Sequence, residues 1–369
     1  MKILVTGSNG FIAKNLIQFL SEKPEIEILK AHRATTDQDF ERSVLAADWI
    51  VHLAGVNRPL NDNEFAEGNT TLTEKIGQIL LQANKKTPVI LSSSIQAERD
   101  NAYGKSKLGG EQALTSLHQA QGNSVYICRL ANVFGKWSRP NYNSAVATFC
   151  HNVANDLPLQ IHDENAVIRL VYVDDVVETF WNIINGQQVE QFFQVEHEYQ
   201  ITVGDLAKVL NGFKASRDTL ITDRVGTGLT RALYSTYLSF LKPEHFDYSV
   251  PKYGDQRGVF VEMLKTPDAG QFSYFTAHPG ITRGGHYHHT KTEKFLVIRG
   301  KALFKFKHVV TGEFYELNTC GEEPKIVETV PGWTHDITNI GDDEMIVMLW
   351  ANEIFDREKP DTFAMPLTS

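Results

Sequence analysis

Lys2-Ile-Leu-Val-Thr6 is an apolar run that ends on Gly7-Ser-Asn9-Gly10-Phe11-Ile12-Ala13, and this beginning restricts the fold more than any other stretch. A short buried strand, a glycine turn and a helix from Lys14 to Leu20 open a doubly wound α/β sheet. Glycine lets the backbone approach a pyrophosphate, while the helix start offers free N–H groups and a positive dipole to the same anion. The spacing is Gly-x-x-Gly-x-x-Ala, with Ala13 where a third glycine is usual. Gly7, Asn9, Gly10, Phe11 and Ile12 are thus the expected dinucleotide contacts.

The next strand, Glu25 to Lys30, leads into Ala31-His32-Arg33, about 20 residues past the glycines, where an acid would grip a ribose 2′-hydroxyl. A base stands there instead. His32 and Arg33 point to the 2′-phosphate of NADP(H) rather than to NAD. Asp48 to Gly55 reads as another buried strand whose small ending, Leu53-Ala54-Gly55, lines the cofactor edge; His52, amid apolar neighbours, reads as a satisfied core histidine. Pro88 to Leu91 is a strand ending at Ser92-Ser93-Ser94, where hydroxyls reach the carboxyl edge of the sheet. Tyr103 and Lys107 follow, four apart on one helical face. An ammonium there would favour ionisation of the phenol and lower a pKa that starts near ~10.

Thr6-Gly-x-x-Gly-Phe-Ile, Val51-His-Leu-Ala-Gly55, Ser92-Ser-Ser94 and Tyr103-x-x-x-Lys107, in that order, resemble the extended short-chain dehydrogenase/reductase family over roughly residues 1 to 240. The resemblance implies a Rossmann domain with a nucleotide-sugar pocket, Tyr103 as proton donor or acceptor, Lys107 on the nicotinamide ribose and Ser94 on the substrate oxygen. It makes Asn69 the family's structural asparagine and Asn132, in Asn-Val-Phe-Gly135, a substrate contact. Asp174 or Asp175 reads as a helix N-cap. Thr202 to Leu210 and Thr230 to Leu241 read as amphipathic helices, the second with Leu233, Tyr237, Leu238 and Leu241 inward or toward a partner chain.

After Lys242-Pro243 the pattern changes to short strands and turns. We therefore expect a reductase domain over 1–243, a linker beginning at Lys242 and an all-β domain over 244–369. Six of the thirteen histidines lie in the last third of the chain. His286 and His288, two apart on a strand, point to one side; Glu293 reaches that side after a turn, and His335 completes three imidazoles and a carboxylate. Such a set suits zinc, iron, manganese or nickel.

Gly280-x5-His286-x-His288-x4-Glu293-x6-Gly300 and Gly332-x-x-His335-x-x-x-Asn339 resemble the two cupin motifs, which implies a jelly-roll barrel, metal-binding and usually dimeric. Asp255-x-Arg257-Gly-x-Phe260-x-Glu262 and Arg283-Gly-Gly-His286-Tyr are similar to cupin epimerases of 4-keto-6-deoxy nucleotide sugars. That likeness makes the residue matching His286 a proton-abstracting base and places Arg283 at the substrate. His286 is either ligand or base; as ligand it leaves His289, Asp336 and Glu262 as candidate bases.

A ketone at C4 of a hexose acidifies C3–H, so an epimerase can invert C3 and a reductase can then fix the result. The fused modules are similar to a family of capsular polysaccharide enzymes. The similarity implies a UDP-2-acetamido-2,6-dideoxy-hexos-4-ulose, epimerised at C3 and reduced at C4 to UDP-N-acetyl-L-talosamine in N-acetyl-L-fucosamine precursor synthesis. It also implies NADP(H), a divalent metal such as Zn and a homodimer. The rival readings are a single-function reductase with a structural cupin, a nonenzymatic dinucleotide sensor, and a metal oxygenase. A net charge of −9 over 369 residues offers no basic stripe to nucleic acid. Three scattered cysteines suit a reducing cytoplasm, and no apolar run is long enough for membrane insertion.

Overall fold

The structure is a computed structural model that describes residues 1–59, 61, 63–255, 258–261, 263, 264, 266, 270–353 and 358–367. It divides into two compact units, Met1–Ser144 with Ile168–Gln200, and Ala145–Val167 with Ile201–Ser369.

The first unit is a parallel sheet of six strands. In spatial order these are Glu27–Ala31, Lys2–Thr6, Trp49–His52, Val89–Ser94, Val125–Leu130 and Phe192–Phe193. The order reverses beside Lys2–Thr6, which opens a crevice at the carboxyl ends of the strands and marks the ligand position of such sheets. Val89–Ser94 is buried along its whole length, as a central parallel strand covered on both faces must be. On one face Ile3, Val5, Val51 and Ile90 pack with Leu16 and Leu20 of the helix Phe11–Ser21 and Phe180 of Val173–Ile184. On the other, Leu4, Ile50 and Leu91 meet Val44, Leu80, Leu114 and Leu117 from three further helices.

Local chemistry sets the helix ends. Thr36 Oγ1 accepts from Asp39 N at 3.1 Å, capping a helix with Asp37 and Asp39 in its first turn, where carboxylates complement the dipole. Asn101 Oδ1 caps Ala102–Gln121 by accepting from Gly104 N at 2.8 Å, and Gly122 at φ +76° ends it. The expected Asp174 or Asp175 cap is not formed. Tyr172 occupies the N-cap of Val173–Ile184 without a side-chain cap bond, and Asp174 pairs with the buried Lys136 at 2.7 Å. The partner of that carboxylate lies too far away in sequence for a capping pattern to reveal it.

The second unit contains two five-stranded sheets. One orders Asp247–Ser249, Lys325–Glu328, Glu293–Arg299, Met345–Ala351 and Gln271–Ala277; the other orders Phe314–Cys320, Lys301–His308, Trp333–Asn339, Thr282–Tyr287 and Phe363–Ala364. Their mapped pairings are antiparallel, so an α/β unit is followed by the expected all-β architecture. Gly300, at φ +90°, turns Glu293–Arg299 of one sheet into Lys301–His308 of the other; a Cβ there would sit 3.0 Å from Met345 Cα.

The helices Ala145–Ala154, Val203–Thr219 and Gly228–Leu238 belong to this second unit. Phe213 packs edge-on to Tyr234 at 5.0 Å, and Leu233, Tyr237, Leu238 and Leu241 are buried as their spacing predicts. A buried charge cluster joins these helices to the sheet. Arg217 Nη2 donates to Glu328 Oε2 at 2.7 Å and Lys294 Nζ to Glu328 Oε1 at 2.5 Å and Tyr248 Oη at 2.9 Å. The stretch after Pro243 is not a linker. Phe246 is fully buried against Trp333 at 5.0 Å, and Asp247–Ser249 pairs with Lys325–Val327. The proline break was legible, but not the aromatic anchor three residues later. The two compact units divide at 144, 167 and 200.

Candidate functional site

The crevice of the first unit is assembled around Gly7, which adopts φ +63°. A Cβ on Gly7 would lie 2.7 Å from Ala54 Cα, so the glycine loop packs directly on the Leu53-Ala54-Gly55 ending expected to line the cofactor. Thr6 Oγ1 accepts from Leu53 N and Ala54 N, both at 3.1 Å. With two donors arriving, its own proton goes to His52 Nδ1 at 2.7 Å. His52 is then the Nε2–H tautomer, donating to Thr73 Oγ1 at 2.9 Å, which donates to Asn69 O at 2.6 Å. Burial holds the imidazole neutral, its pKa down at about 3. His52 is the core histidine the sequence suggests, and it orients the floor of the site.

Asn69 continues the network: its amide donates to Val56 O at 3.1 Å and Ser106 Oγ at 2.9 Å, and its carbonyl accepts from Val56 N at 2.9 Å. Gly55 closes the gap above it, since a Cβ there would stand 2.8 Å from Asn69 Oδ1 and 3.7 Å from Lys107 Nζ. Gly10 N donates to Gly7 O at 2.7 Å, and Phe11 and Ile12 begin the helix whose N-terminus faces the loop. Ser8 N donates to Ala31 O at 3.0 Å. That bond brings the end of the second strand beside the glycines, with exposed His32 and Arg33 just beyond it.

Tyr103 and Lys107 stand on the helix Ala102–Gln121. Its start is pressed against the preceding loop, where a Cβ on Gly104 would be 2.3 Å from Gln96 O. Lys107 Nζ donates to Ser92 O at 2.7 Å; burial lowers its pKa to about 8, with Glu111 opposing. The expectation that Lys107 lowers the Tyr103 pKa is not met. Burial raises the phenol, and a hydrogen bond with Ser94 is the influence that lowers it. Four residues along a helix share a face, but here the ammonium is drawn to a strand carbonyl. Ser94 Oγ itself accepts from Gln96 N at 3.1 Å.

Glu111 was not singled out from sequence. It is buried, accepts from Ser93 Oγ at 2.5 Å, and is held by Arg129 through Nε at 2.9 Å and Nη2 at 2.7 Å. Its place four residues after Lys107 was the available signal. Asn132, expected at the substrate, is exposed and donates to Arg169 O at 2.9 Å.

In the second unit His286, His288, Glu293 and His335 converge, one ligand atom from each lying within 4.8 Å of the others. Thr282–Tyr287 and Trp333–Asn339 set His286 opposite His335, and the rings of His286 and His288 lie 5.0 Å apart. His288 Nδ1 faces Asp361 O at 2.6 Å. A carbonyl only accepts, so Nδ1 carries hydrogen and the neutral ring leaves Nε2 bare toward Glu293 Oε2, 3.1 Å away. Two acceptors face each other at that distance stably only with a proton or a metal ion between them. His335 Nε2 is 3.5 Å from the same oxygen. Burial, then His335 and His288, lower the His286 pKa to about 4. Three imidazoles and one carboxylate, its pKa held low by the neighbouring His288 and His335 against the effect of burial, fit a divalent ion of the zinc type.

Of the candidate bases, His289 lies 5.0 Å from Phe363 and 5.5 Å from Tyr287, ring to ring. Asp336, next to His335 on its strand, points to the opposite face and pairs across to Gly284 and Lys305. Arg257 and Glu262 lie outside the described residues. Arg283 is exposed, donates to Thr276 O at 2.8 Å and covers the Phe275 ring.

The model of the NAD dependent epimerase/dehydratase family matches residues 3–195, and that of the polysaccharide biosynthesis C-terminal domain matches 253–363. A curated relative from Pseudomonas aeruginosa, "UDP-2-acetamido-2,6-beta-L-arabino-hexul-4-ose reductase", is 58% identical over 365 residues, 99% of this chain and 98% of that one. The chain belongs to the NAD dependent epimerase/dehydratase family. It is CapF-like throughout: the crystal structure of the capsular polysaccharide assembling protein CapF from Staphylococcus aureus is 43% identical, covers both chains completely and superposes with a TM-score of 0.69. UDP-glucuronic acid 4-epimerase from Bacillus cereus shares 18% identity over 58% of this chain and 83% of its own, TM-score 0.53, a likeness of fold alone. Among the described residues no helix is long and apolar enough to cross a membrane.

Proposed function

We propose that this protein is a bifunctional nucleotide-sugar enzyme of capsule synthesis: the β unit epimerises C3 of a UDP-2-acetamido-2,6-dideoxy-hexos-4-ulose, and the α/β unit reduces its C4 ketone with NADPH to UDP-N-acetyl-L-talosamine. The observation that carries this reading is the pairing, in one chain, of a Ser94–Tyr103–Lys107 site beside a glycine-loop crevice with a four-residue metal-ligand cluster in a separate fold. The name of the 58% identical relative supports the 4-keto substrate and its reduction.

In the reductase site Gly7, Asn9, Gly10, Phe11 and Ile12 would hold the diphosphate, His32 and Arg33 the 2′-phosphate, and Leu53 to Gly55 the adjoining edge. Lys107 would bind the nicotinamide ribose. The bound nicotinamide supplies the hydride for C4. Ser94 orients the ketone oxygen, and Tyr103, kept protonated by burial, gives that oxygen its proton as charge develops there. In the barrel His286, His288, Glu293 and His335 would hold a divalent ion, whose chemistry there would be that of a Lewis acid toward a carbonyl oxygen. The C4 ketone itself acidifies C3–H; a base removes that proton, and reprotonation from the other face of the enolate inverts C3. Asn132 and Arg283 would contact substrate at the two sites, and the enzyme would act as a homodimer in the cytoplasm.

In deuterated water with the 4-keto UDP sugar and no NADPH, C3–H should exchange for deuterium, as followed by NMR. Adding NADPH should then yield the C3-inverted, C4-reduced sugar. Reduction without any prior C3 exchange would leave a single-function reductase and overturn the two-step reading.

A further inference from the structure

The segment 358–367 braces the ligand cluster of the second unit from behind, and Asp361 is its centre. Phe363 and Ala364 pair with Tyr287 and His286, Met365 N donates to Gly285 O at 2.8 Å, and Thr334 Oγ1 donates to Met365 O at 2.5 Å. One short segment therefore touches the backbone of His286 and the neighbour of His335. Lys291 Nζ ties it down further through Pro360 O at 3.2 Å and Thr362 Oγ1 at 2.8 Å.

Asp361 makes two kinds of contact at once. Its carboxylate accepts from His289 N at 2.9 Å, Thr290 N at 2.9 Å, Thr290 Oγ1 at 3.1 Å and Lys291 N at 2.7 Å. These bonds shape the turn between His288 and Glu293. Its carbonyl accepts from His288 Nδ1 at 2.6 Å. The backbone reaches both only by adopting φ +39°, a left-handed conformation that Asp tolerates better than most residues and that is kept where surrounding structure enforces it.

We propose that Asp361 is a positioning residue of the metal centre: it fixes the tautomer and ring plane of His288 and the turn that sets Glu293 against it. This rests on the metal reading above. A ligand imidazole whose distal nitrogen is anchored presents its other lone pair in a fixed direction, and loss of such an anchor typically weakens metal binding by roughly 10–100-fold. A purely structural brace would lower stability and leave metal affinity unchanged.

The full chain, stripped with a chelator, is titrated with Zn2+ against a chromophoric competitor. Asp361→Ala, which removes the carboxylate and disfavours the left-handed backbone, should weaken zinc by roughly 10–100-fold. Asp361→Gly, which frees the backbone to keep the carbonyl in place, should fall between it and wild type. Cobalt substitution adds a spectroscopic readout: the absorption bands of the Asp361→Ala complex should shift from those of wild type. Circular dichroism of the zinc-free proteins reports whether the sheets persist. If Asp361→Ala does not fold, Asp361→Asn, which keeps one accepting oxygen, carries the test with a several-fold loss expected. Equal zinc affinity and unshifted cobalt bands in folded variants would overturn the role of Asp361 while the metal centre stands. Failure of wild type to bind zinc would overturn the centre and the inference together.

Discussion

Lys107 gives the most quantitative test of the reductase site. The ammonium is buried, donates to Ser92 O, and has its pKa lowered from 10.5 to about 8, burial outweighing the favourable charge of Glu111. Each tenfold change in proton affinity is about 1.36 kcal/mol, so holding this charge in the folded state costs about 3 kcal/mol. The folded protein binds the proton more weakly than the unfolded chain. The cost is therefore present in full below pH 8, shrinks as the folded state releases its proton, and is gone above pH 10.5. Lys107→Met removes the charge and keeps most of the stem, but leaves Ser92 O without its donor, a loss of about 1–3 kcal/mol. Near neutral pH the variant should therefore match wild type or exceed it by up to about 2 kcal/mol, yet have no reductase activity. The cleaner readout is the difference between their urea-unfolding stabilities across pH 7 to 10.5, which cancels the other titrating groups. Wild type should gain about 3 kcal/mol relative to Lys107→Met over that range. Parallel curves would refute the reasoning, because they would mean that Glu111 and the Ser92 carbonyl already offset the whole burial cost.

Other perturbations should separate reduction from the proposed epimerisation. Tyr103→Phe should abolish NADPH consumption with the 4-keto sugar while NADPH fluorescence on binding persists; a change in regulation alone would favour a dinucleotide sensor. Arg33→Asp should raise the KM for NADPH by roughly 10–100-fold, the worth of a charged hydrogen bond of about 1.5–3 kcal/mol, and leave that for NADH near wild type. Gly7→Ala should eliminate cofactor binding measured by calorimetry, since the added Cβ would meet Ala54 Cα at 2.7 Å and φ +63° disfavours any side chain. Chelation should stop deuterium entry at C3 and spare reduction of sugar that is already epimerised; metal analysis showing iron in place of zinc would reopen an oxygenase reading.

The sequence disclosed those parts of the molecule whose chemistry is local. A glycine turn needs a particular backbone angle, which Gly7 supplies at φ +63°, so Gly7 was visible, and two histidines on one strand must share a face, so the cluster around His286 and His288 was too. Distant partners were not. Nothing near Asp174 announces Lys136, and nothing in Lys242 to Pro251 says that Phe246 will fill a pocket beside Trp333. The pull of Lys107 on Tyr103 was the reasonable guess from spacing alone, but the ammonium of a buried lysine takes the nearest strong acceptor, and Ser92 O is nearer. Asp361 is 70 to 72 residues away from the loop it organises, beyond the reach of any local pattern.

The cluster of Arg217, Glu328 and Lys294 has a consequence for anyone who would dissect this molecule. Severing the chain near residue 243 strips Glu328 of its Arg217 guanidinium and leaves it Lys294 as its remaining cation; losing a hydrogen bond to a charged group costs about 1.5–3 kcal/mol, a sizeable part of what keeps an ordinary domain folded. A silent barrel fragment would then report damage done by the cut rather than absence of catalysis. Intact protein carrying point substitutions, or a fragment that retains the helical stretch from residue 201 onward, is the fairer material for asking what each half does.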